Sequence, residues 1–129
     1  MPKLNAVGLF VTDMHRSVAF YRDVFGLSTA WNGEANAELV TEGMPLLLFS
    51  RQDFEAMTSQ QYTYPPGLNG TMEISFDYPS FAAVDQAYER VVAAGAQPIF
   101  PPTTEPWGQR TCYVADPDGN LIEMSSFHQ

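Results

Sequence analysis

Two short segments, residues 6–11 and 73–78, alternate along the chain in the way that a half-buried β-strand does. The apolar residues that would share one face of each strand are Val7, Leu9 and Val11 in the first segment and Ile74, Phe76 and Tyr78 in the second. The segments lie 67 residues apart, and each precedes a helical pattern. This spacing indicates a weak internal repeat.

Both helical patterns have recognisable ends. The first helix is predicted to begin near Asp13, which is a good N-cap, and to end at Gly26. The second is predicted to begin near Ser80 and to end at Gly95. Their apolar stripes are Met14, Val18, Tyr21 and Phe25 in the first helix and Phe81, Val84, Tyr88 and Val91 in the second. Each helix is therefore expected to bury one face.

Strand-like segments follow each helix. They are residues 27–34, 37–42 and 45–50 in the first half, and residues 97–100, 110–115 and 120–127 in the second. Asp116-Pro117-Asp118-Gly119 is a tight-turn signal between the last two. Both halves are thus predicted to run strand–helix–strand–strand–strand. Residues 51–70 form a connector between them, and connectors of that length are often functional lids or mobile segments.

Composition and charge narrow the classes of function. The 129 residues suit one ordinary domain, and a 45% hydrophobic content excludes a disordered acidic tail. Six basic residues against fifteen acidic ones give a net charge of −9, which disfavours nucleic acid and an anionic membrane surface as partners. The same charge allows a cationic ligand, although solubility alone accounts for most of the acidic residues. The chain lacks an apolar run long enough to span a bilayer, and we expect it to be cytoplasmic.

The residues of greatest chemical reactivity are few. Cys112 is the single cysteine, so neither an intramolecular disulfide nor a Cys-rich zinc site is expected, and its neighbours suggest a small buried residue. His15 and His128 are expected at the surface. The sequence contains no nucleophile elbow, P-loop or His-Glu-x-x-His motif.

Several short motifs together resemble one known family. They are Val11-Thr12-Asp13, Ser17, Phe20-Tyr21 and Gly26-Leu27 in the first half, and Trp107-Gly108, Arg110 and the run from Asp116 to Glu123 in the second. The sequence resembles the vicinal oxygen chelate superfamily, which includes glyoxalase I, extradiol dioxygenases, fosfomycin-resistance enzymes and bleomycin-resistance proteins. The resemblance covers nearly the whole chain apart from the connector.

The resemblance implies an α+β fold. Two βαβββ modules would form a curled mixed sheet around a cleft within a single glyoxalase/bleomycin-resistance-like domain spanning residues 1–129. Module one would cover residues 4–50, the connector residues 51–70, and module two residues 71–127. Family members of this size commonly form homodimers, with cleft walls contributed by both chains.

The resemblance also indicates where a metal would bind. In metal-using relatives, four residues on the first and last strands of the two modules chelate one divalent ion. The matching positions here are Ala6, Leu48 or a neighbour of it, Glu73 and Glu123. Two carboxylates survive at these positions and no imidazole does, so we expect no metal site and no cofactor beyond a weakly held hard divalent cation.

The remaining chemistry favours a binding protein. The predicted ligand-binding residues are Glu73, Glu123, Trp31, Trp107, Arg110 and Tyr64. Carboxylates with flat aromatic walls suit a planar, cationic organic compound. The bleomycin-resistance branch, which works without metal, sequesters a cationic drug, so antibiotic resistance by sequestration is one expected role. The sequence assigns no catalytic residue.

Two alternatives remain open. The chain could be an enzyme of the same superfamily, either a metal-dependent lyase, dioxygenase or thiol transferase, or one in which Glu73 or Glu123 acts as a general base. It could instead be a dimeric scaffold whose cleft holds no ligand.

The metal-site pattern yields a first prediction. Protein purified without chelators should contain no stoichiometric transition metal, because Ala6 and Leu48 have no donor atom. Elemental analysis by inductively coupled plasma mass spectrometry measures this. Stoichiometric zinc, nickel or iron that disappears in Glu123→Ala would contradict the prediction and shift the assumed strand register.

A second prediction concerns assembly. We expect a homodimer, from the resemblance and from the aromatic residues of the connector, which would otherwise form an apolar surface patch. Multi-angle light scattering at micromolar concentration should report twice the chain mass of 14.3 kDa. A species of the chain mass alone would refute the dimer.

Overall fold

All 129 residues are described by a computed structural model, in which the chain forms two compact units, Met1–Tyr64 and Pro65–Gln129. The architecture is mixed α+β, as the resemblance implied, and it contains one three-stranded and one four-stranded sheet. None of its helices has the length and apolar character needed to cross a bilayer.

The first unit contains three strands and two helices. Its elements are β1 (Val7–Val11), α1 (Met14–Ala19) continued by a π-helical segment (Phe20–Val24), β2 (Asn36–Leu39), β3 (Leu46–Ser50) and α2 (Arg51–Thr58). The sheet order is β1-β3-β2, with β1 and β3 parallel and β2 antiparallel to β3. The sheet and helices share a core in which Leu39, Leu48, Val11, Val18 and Tyr21 are fully buried.

The second unit is a complete βαβββ module. Its elements are β4 (Asn69–Asp77), α3 (Phe81–Ala93), β5 (Gln97–Thr104), β6 (Arg110–Ala115) and β7 (Asn120–Ser126). The sheet order is β4-β7-β6-β5, and only the β4–β7 pair is parallel. Helix α3 packs against β5, β6 and β7. Val84, Val91, Cys112, Val114, Ile122 and Met124 are fully buried.

The predicted helix ends are confirmed. The Asp13 side chain accepts a hydrogen bond from the Arg16 backbone N–H, and the Ser80 hydroxyl accepts one from that of Ala83. Gly26 and Gly95 both have positive φ, which terminates a helix at little steric cost. The spacing of capping residues therefore defines both repeat helices.

Two features of the first half differ from the sequence prediction. Residues 27–34 form no strand and contribute a single bridge, from Ser28 to Val40. The connector contains the helix α2, whose N-terminus is capped by the Ser50 hydroxyl accepting from the Asp53 backbone N–H. The first unit thus lacks the fourth strand and gains a helix.

The predicted tight turn between β6 and β7 is present and densely hydrogen-bonded. One oxygen of the Asp116 carboxylate accepts from the backbone N–H groups of Asp118 and Asn120, each at 2.9 Å. The Gly119 carbonyl accepts from the Asn69 backbone N–H at 2.8 Å, which connects the turn to the start of β4. Gly119 has a φ of 85°, and a side chain there would collide with the carbonyl oxygen of Gly67.

This packing generates a third prediction. Gly119→Ala should lose more than about 3 kcal/mol of unfolding free energy, because it combines backbone strain with a backbone collision. The matched control is Gly108→Ala, where φ is 88° and nothing obstructs a Cβ, so about 1–2 kcal/mol should be lost. Urea unfolding followed by circular dichroism measures both. Equal losses in the two variants would show that the Gly67 contact is unimportant.

Candidate functional site

The central strand pairings of the second sheet bring four polar side chains together. In register, Glu123 on β7 lies opposite Ser75 on β4 and opposite Tyr113 on β6. Thr111 lies two residues before Tyr113, so it projects from the same face. Helix α3 covers the opposite face of the sheet, which carries Cys112, Val114, Ile122 and Met124. No helix of this unit packs on the face that carries Glu123.

The Glu123 carboxylate is 9% exposed and fully engaged in hydrogen bonds. Its Oε1 atom accepts from the Ser75 hydroxyl at 2.7 Å. Its Oε2 atom accepts from the Thr111 hydroxyl at 2.7 Å and from the Tyr113 hydroxyl at 3.3 Å. Three hydroxyl donors from two neighbouring strands therefore compensate the burial of this charge.

Tyr113 connects Glu123 to the second predicted carboxylate, Glu73. Burial raises the pKa of Tyr113, and hydrogen bonding to Glu73 together with the negative charge of Glu123 raises it further. The phenol therefore remains a proton donor throughout the physiological range. Its O–H group donates to Glu123 at 3.3 Å, and the nearby Glu73 contributes to raising its pKa.

Of these groups, Glu73 and Tyr113 line an open groove of about 480 Å³. Its lining residues are Gly70, Met72, Glu73, Ile99, Tyr113 and Leu121. The second unit carries eight acidic residues and only two arginines. Arg90 lies beside Tyr78, and Arg110 forms an ion pair with Asp85. The groove therefore combines apolar walls with negative charge that no arginine of this unit offsets.

Arg110 and Trp107 were predicted as ligand contacts, and the structure places both elsewhere. Arg110 lies two residues before Cys112 on β6, so both side chains project from the face that α3 covers. It donates to the Asp85 carboxylate on α3 at 2.6 Å. Trp107 lies in the β5–β6 turn, is 65% exposed, and donates its indole N–H to the Gln109 side chain. Neither residue lines the groove beside Glu73.

Trp31, the third predicted contact, lies in the first unit. Its indole N–H donates to the Glu34 carbonyl at 2.7 Å, and its ring meets His15 edge-on at 4.9 Å between centroids. The two rings border a surface depression that also includes Asp13 and Asp53.

Tyr64 also belongs to the first unit and packs on α2. Its hydroxyl donates to the Glu55 carboxylate at 2.5 Å, and this hydrogen bond raises the pKa of Tyr64. The Arg51 guanidinium carbon lies 4.1 Å from the centre of the Tyr64 ring. Tyr64 thus has intramolecular partners that account for its position in the connector.

The first unit has a groove of its own on the sheet face away from its core. It measures about 510 Å³. Its aromatic wall comprises Phe10, Phe49 and Phe54, with ring centroids of Phe10 and Phe54 at 4.2 Å and of Phe49 and Phe54 at 5.5 Å. Glu38 is the one ionisable residue of the lining. Each groove thus has one glutamate in its lining, but the apolar wall is aromatic in the first unit and consists of Met72, Ile99 and Leu121 in the second.

The residues present do not fit a chelated divalent ion. Gly8 and Leu47 pair in the first sheet as Ser75 and Glu123 pair in the second, so Leu47, the neighbour of Leu48, is the counterpart of Glu123. Leu48 itself is fully buried. Within the chain, no three side chains among His, Cys, Asp and Glu are grouped so as to hold a metal. Two carboxylates, one already occupied by three hydroxyls, fall short of the usual donor set.

Three members of the site were missing from the sequence prediction: Ser75, Thr111 and Tyr113. The sequence held a usable signal for each of them. The Asp116–Gly119 turn fixes the antiparallel register of its hairpin, which sets Tyr113 opposite Glu123 and Thr111 on the same face. Ser75 follows from strand alternation, since it lies two residues beyond Glu73.

Comparison with known proteins identifies relatives across nearly the whole chain. A curated relative, the uncharacterized protein YraH of Bacillus subtilis (strain 168), is 29% identical over 126 residues, covering 95% of this chain and 96% of that protein. A glyoxalase-related enzyme from Fulvimarina pelagi is 25% identical with a TM-score of 0.84, covering 98% of this chain and 88% of the other. Lactoylglutathione lyase from Agrobacterium tumefaciens is 26% identical with a TM-score of 0.74, covering 96% and 92% of the two chains.

The family model also matches, over residues 3–124. The chain belongs to the Glyoxalase/Bleomycin resistance protein/Dioxygenase superfamily.

Proposed function

We propose that this protein binds a small organic cation in the groove of its second unit and acts by sequestering that compound. One observation carries the proposal: Glu73 borders an open groove beside Tyr113, whose hydroxyl donates to the Glu123 carboxylate behind it, and both arginines of the unit have partners elsewhere. Two neighbouring carboxylates without a protein counter-charge favour a positively charged ligand.

The two carboxylates differ in their hydrogen-bond partners and in their exposure to a ligand. Hydroxyl groups can satisfy the lone pairs of Glu123, but they cannot neutralise its charge. Glu73 is exposed and borders the groove, so it is the carboxylate that a ligand can reach directly. A cation seated against Glu73 would reduce the repulsion between the two carboxylates and bind more tightly for that reason.

The groove walls define the rest of the ligand. Met72, Ile99 and Leu121 present apolar surface, and the ring of Tyr113 lies 6.5 Å from that of Phe100 between centroids. Such walls bind the apolar or aromatic part of a ligand through the surface area that it buries, whereas the carboxylate favours a ligand with positive charge. An aromatic cation satisfies both requirements.

The metal-dependent lyase alternative is favoured by one observation, the likeness to lactoylglutathione lyase of A. tumefaciens. The donor set disfavours it, since Gly8 and Leu47 occupy the first-unit positions that correspond to Ser75 and Glu123. Sequestration needs only the groove, so it agrees better with the residues present. Homodimer formation, a cytoplasmic location and a role in antibiotic resistance are parts of the same proposal.

A fourth prediction tests the charge preference with three planar analogues of one shape. Benzamidinium should bind more tightly than benzamide, and benzamide more tightly than benzoate, in calorimetric titrations at low salt. The double variant Glu73→Gln/Glu123→Gln should reduce the benzamidinium-to-benzamide affinity ratio by about tenfold, because it removes both facing charges while keeping side-chain size.

The matched control is Asp77→Asn, which neutralises an exposed acidic residue at the end of the same strand but outside the groove lining. It should leave the ratio unchanged. Circular dichroism would establish that each variant is folded. Tightest binding of benzoate, or the same ratio in wild type and double variant, would refute the acidic site.

A further inference from the structure

We propose that Asn32 is a site of spontaneous deamidation, and that its isoaspartyl product breaks the turn that positions the Trp31 ring. The chain contains two Asn-Gly sequences, Asn32-Gly33 and Asn69-Gly70. In such a sequence the glycine nitrogen can attack the asparagine side chain, because glycine has no Cβ to obstruct the approach. The structure exposes the first sequence and restrains the second. This modification does not depend on the proposed ligand.

The reaction requires water and no other reactant. The Gly33 backbone nitrogen forms a bond to the side-chain carbonyl carbon of Asn32, and the bond from that carbon to the amide nitrogen breaks. The proton of the Gly33 N–H leaves with the amide nitrogen as ammonia, and a five-membered succinimide remains. Water then opens the succinimide at one of its two carbonyls, which gives aspartate or isoaspartate and adds one negative charge.

Both reacting groups are free at Asn32. Asn32 and Gly33 are exposed and lie outside the helices and strands. No group of the protein forms a hydrogen bond with the Asn32 side-chain amide or with the Gly33 backbone N–H. The Asn32 backbone N–H donates to the Glu34 carboxylate at 2.7 Å, and this bond leaves the side chain able to rotate. The side-chain carbonyl carbon and the attacking nitrogen can therefore reorient toward each other.

Asn69 is restrained at both ends of its side-chain amide. Its amide nitrogen donates to the Asn120 side-chain oxygen at 3.1 Å, and its amide oxygen accepts from the Thr71 backbone N–H at 3.0 Å. Its own backbone N–H donates to the Gly119 carbonyl at 2.8 Å. Attack by the Gly70 nitrogen would require both side-chain hydrogen bonds to break, so the fold protects this second sequence.

Isoaspartate at position 32 changes the backbone next to Trp31. It adds one carbon atom to the main chain between Trp31 and Gly33, inside the turn in which the indole N–H donates to the Glu34 carbonyl at 2.7 Å. Loss of that hydrogen bond would free the indole ring from its edge-on contact with His15. Ordinary aspartate adds the same charge without lengthening the main chain, so it should preserve the turn.

The modification is tested by incubating the folded protein at mildly alkaline pH and mapping its peptides by mass spectrometry. Asn32 should deamidate about tenfold faster than Asn69 or more, because attack at Asn69 must first break two hydrogen bonds. In urea, where the fold is lost, the two rates should become similar. Asn32→Gln should not be modified at this position, because its longer side chain disfavours ring closure. Equal rates in the folded protein, or faster reaction at Asn69, would overturn the proposed site.

The effect on Trp31 is measured in a Trp107→Phe background, in which Trp31 is the only indole. The isoaspartyl protein, separated by ion exchange, should have fluorescence emission shifted to the red of the unmodified protein, because the ring gains contact with water. The matched control is Asn32→Asp, which should keep the emission of the unmodified protein. Unchanged emission in the isoaspartyl form would refute the broken turn, and an equal red shift in Asn32→Asp would attribute the effect to charge and refute it too.

Discussion

The second unit is organised around the buried carboxylate of Glu123. A charge that is 9% exposed is tolerated only when nearby groups replace the water it has lost, and here three hydroxyls do so. Those hydroxyls come from β4 and β6, the two strands that flank β7. The position of Glu123 on a central strand is therefore a requirement, because an edge strand would supply donors from one side only. The sheet order and the chemistry of the groove thus depend on each other.

The register of that sheet depends on the turn between β6 and β7. Asp116 accepts hydrogen bonds from two backbone N–H groups and from the Asn120 side-chain amide, which fixes where the hairpin reverses. A slip of one residue would move Glu123 to the helix-covered face, where Met124 now packs. The turn therefore keeps the Glu123 carboxylate on the same face of the sheet as Tyr113, which lines the groove, although the turn residues do not line the groove themselves.

Much of the fold could be predicted from the sequence, because the repeat helices carry strong local signals in Asp13, Gly26 and Gly95. Helix α2 was missed, although Ser50 followed by Asp53 three residues later is a capping pattern, because most of its residues are polar and none is buried. The resemblance put Glu73 and Glu123 on the first and last strands of the second module, and these strands, β4 and β7, are paired in one sheet. Trp31, Tyr64 and Arg110 could not be assigned in this way, since their partners, His15, Glu55 and Asp85, follow from packing between elements.

The two sheets share one strand-pairing pattern but carry different side chains at the corresponding paired positions. The pairing of Gly8 with Leu47 in the first corresponds to that of Ser75 with Glu123 in the second. Where the second unit has a serine hydroxyl next to a carboxylate, the first unit has a glycine next to a leucine side chain. Leu47, at the position that corresponds to Glu123, has no metal-donor atom and lines a groove whose aromatic wall is Phe10, Phe49 and Phe54. An apolar side chain at this position therefore both lacks a donor atom and adds apolar surface to the groove of the first unit.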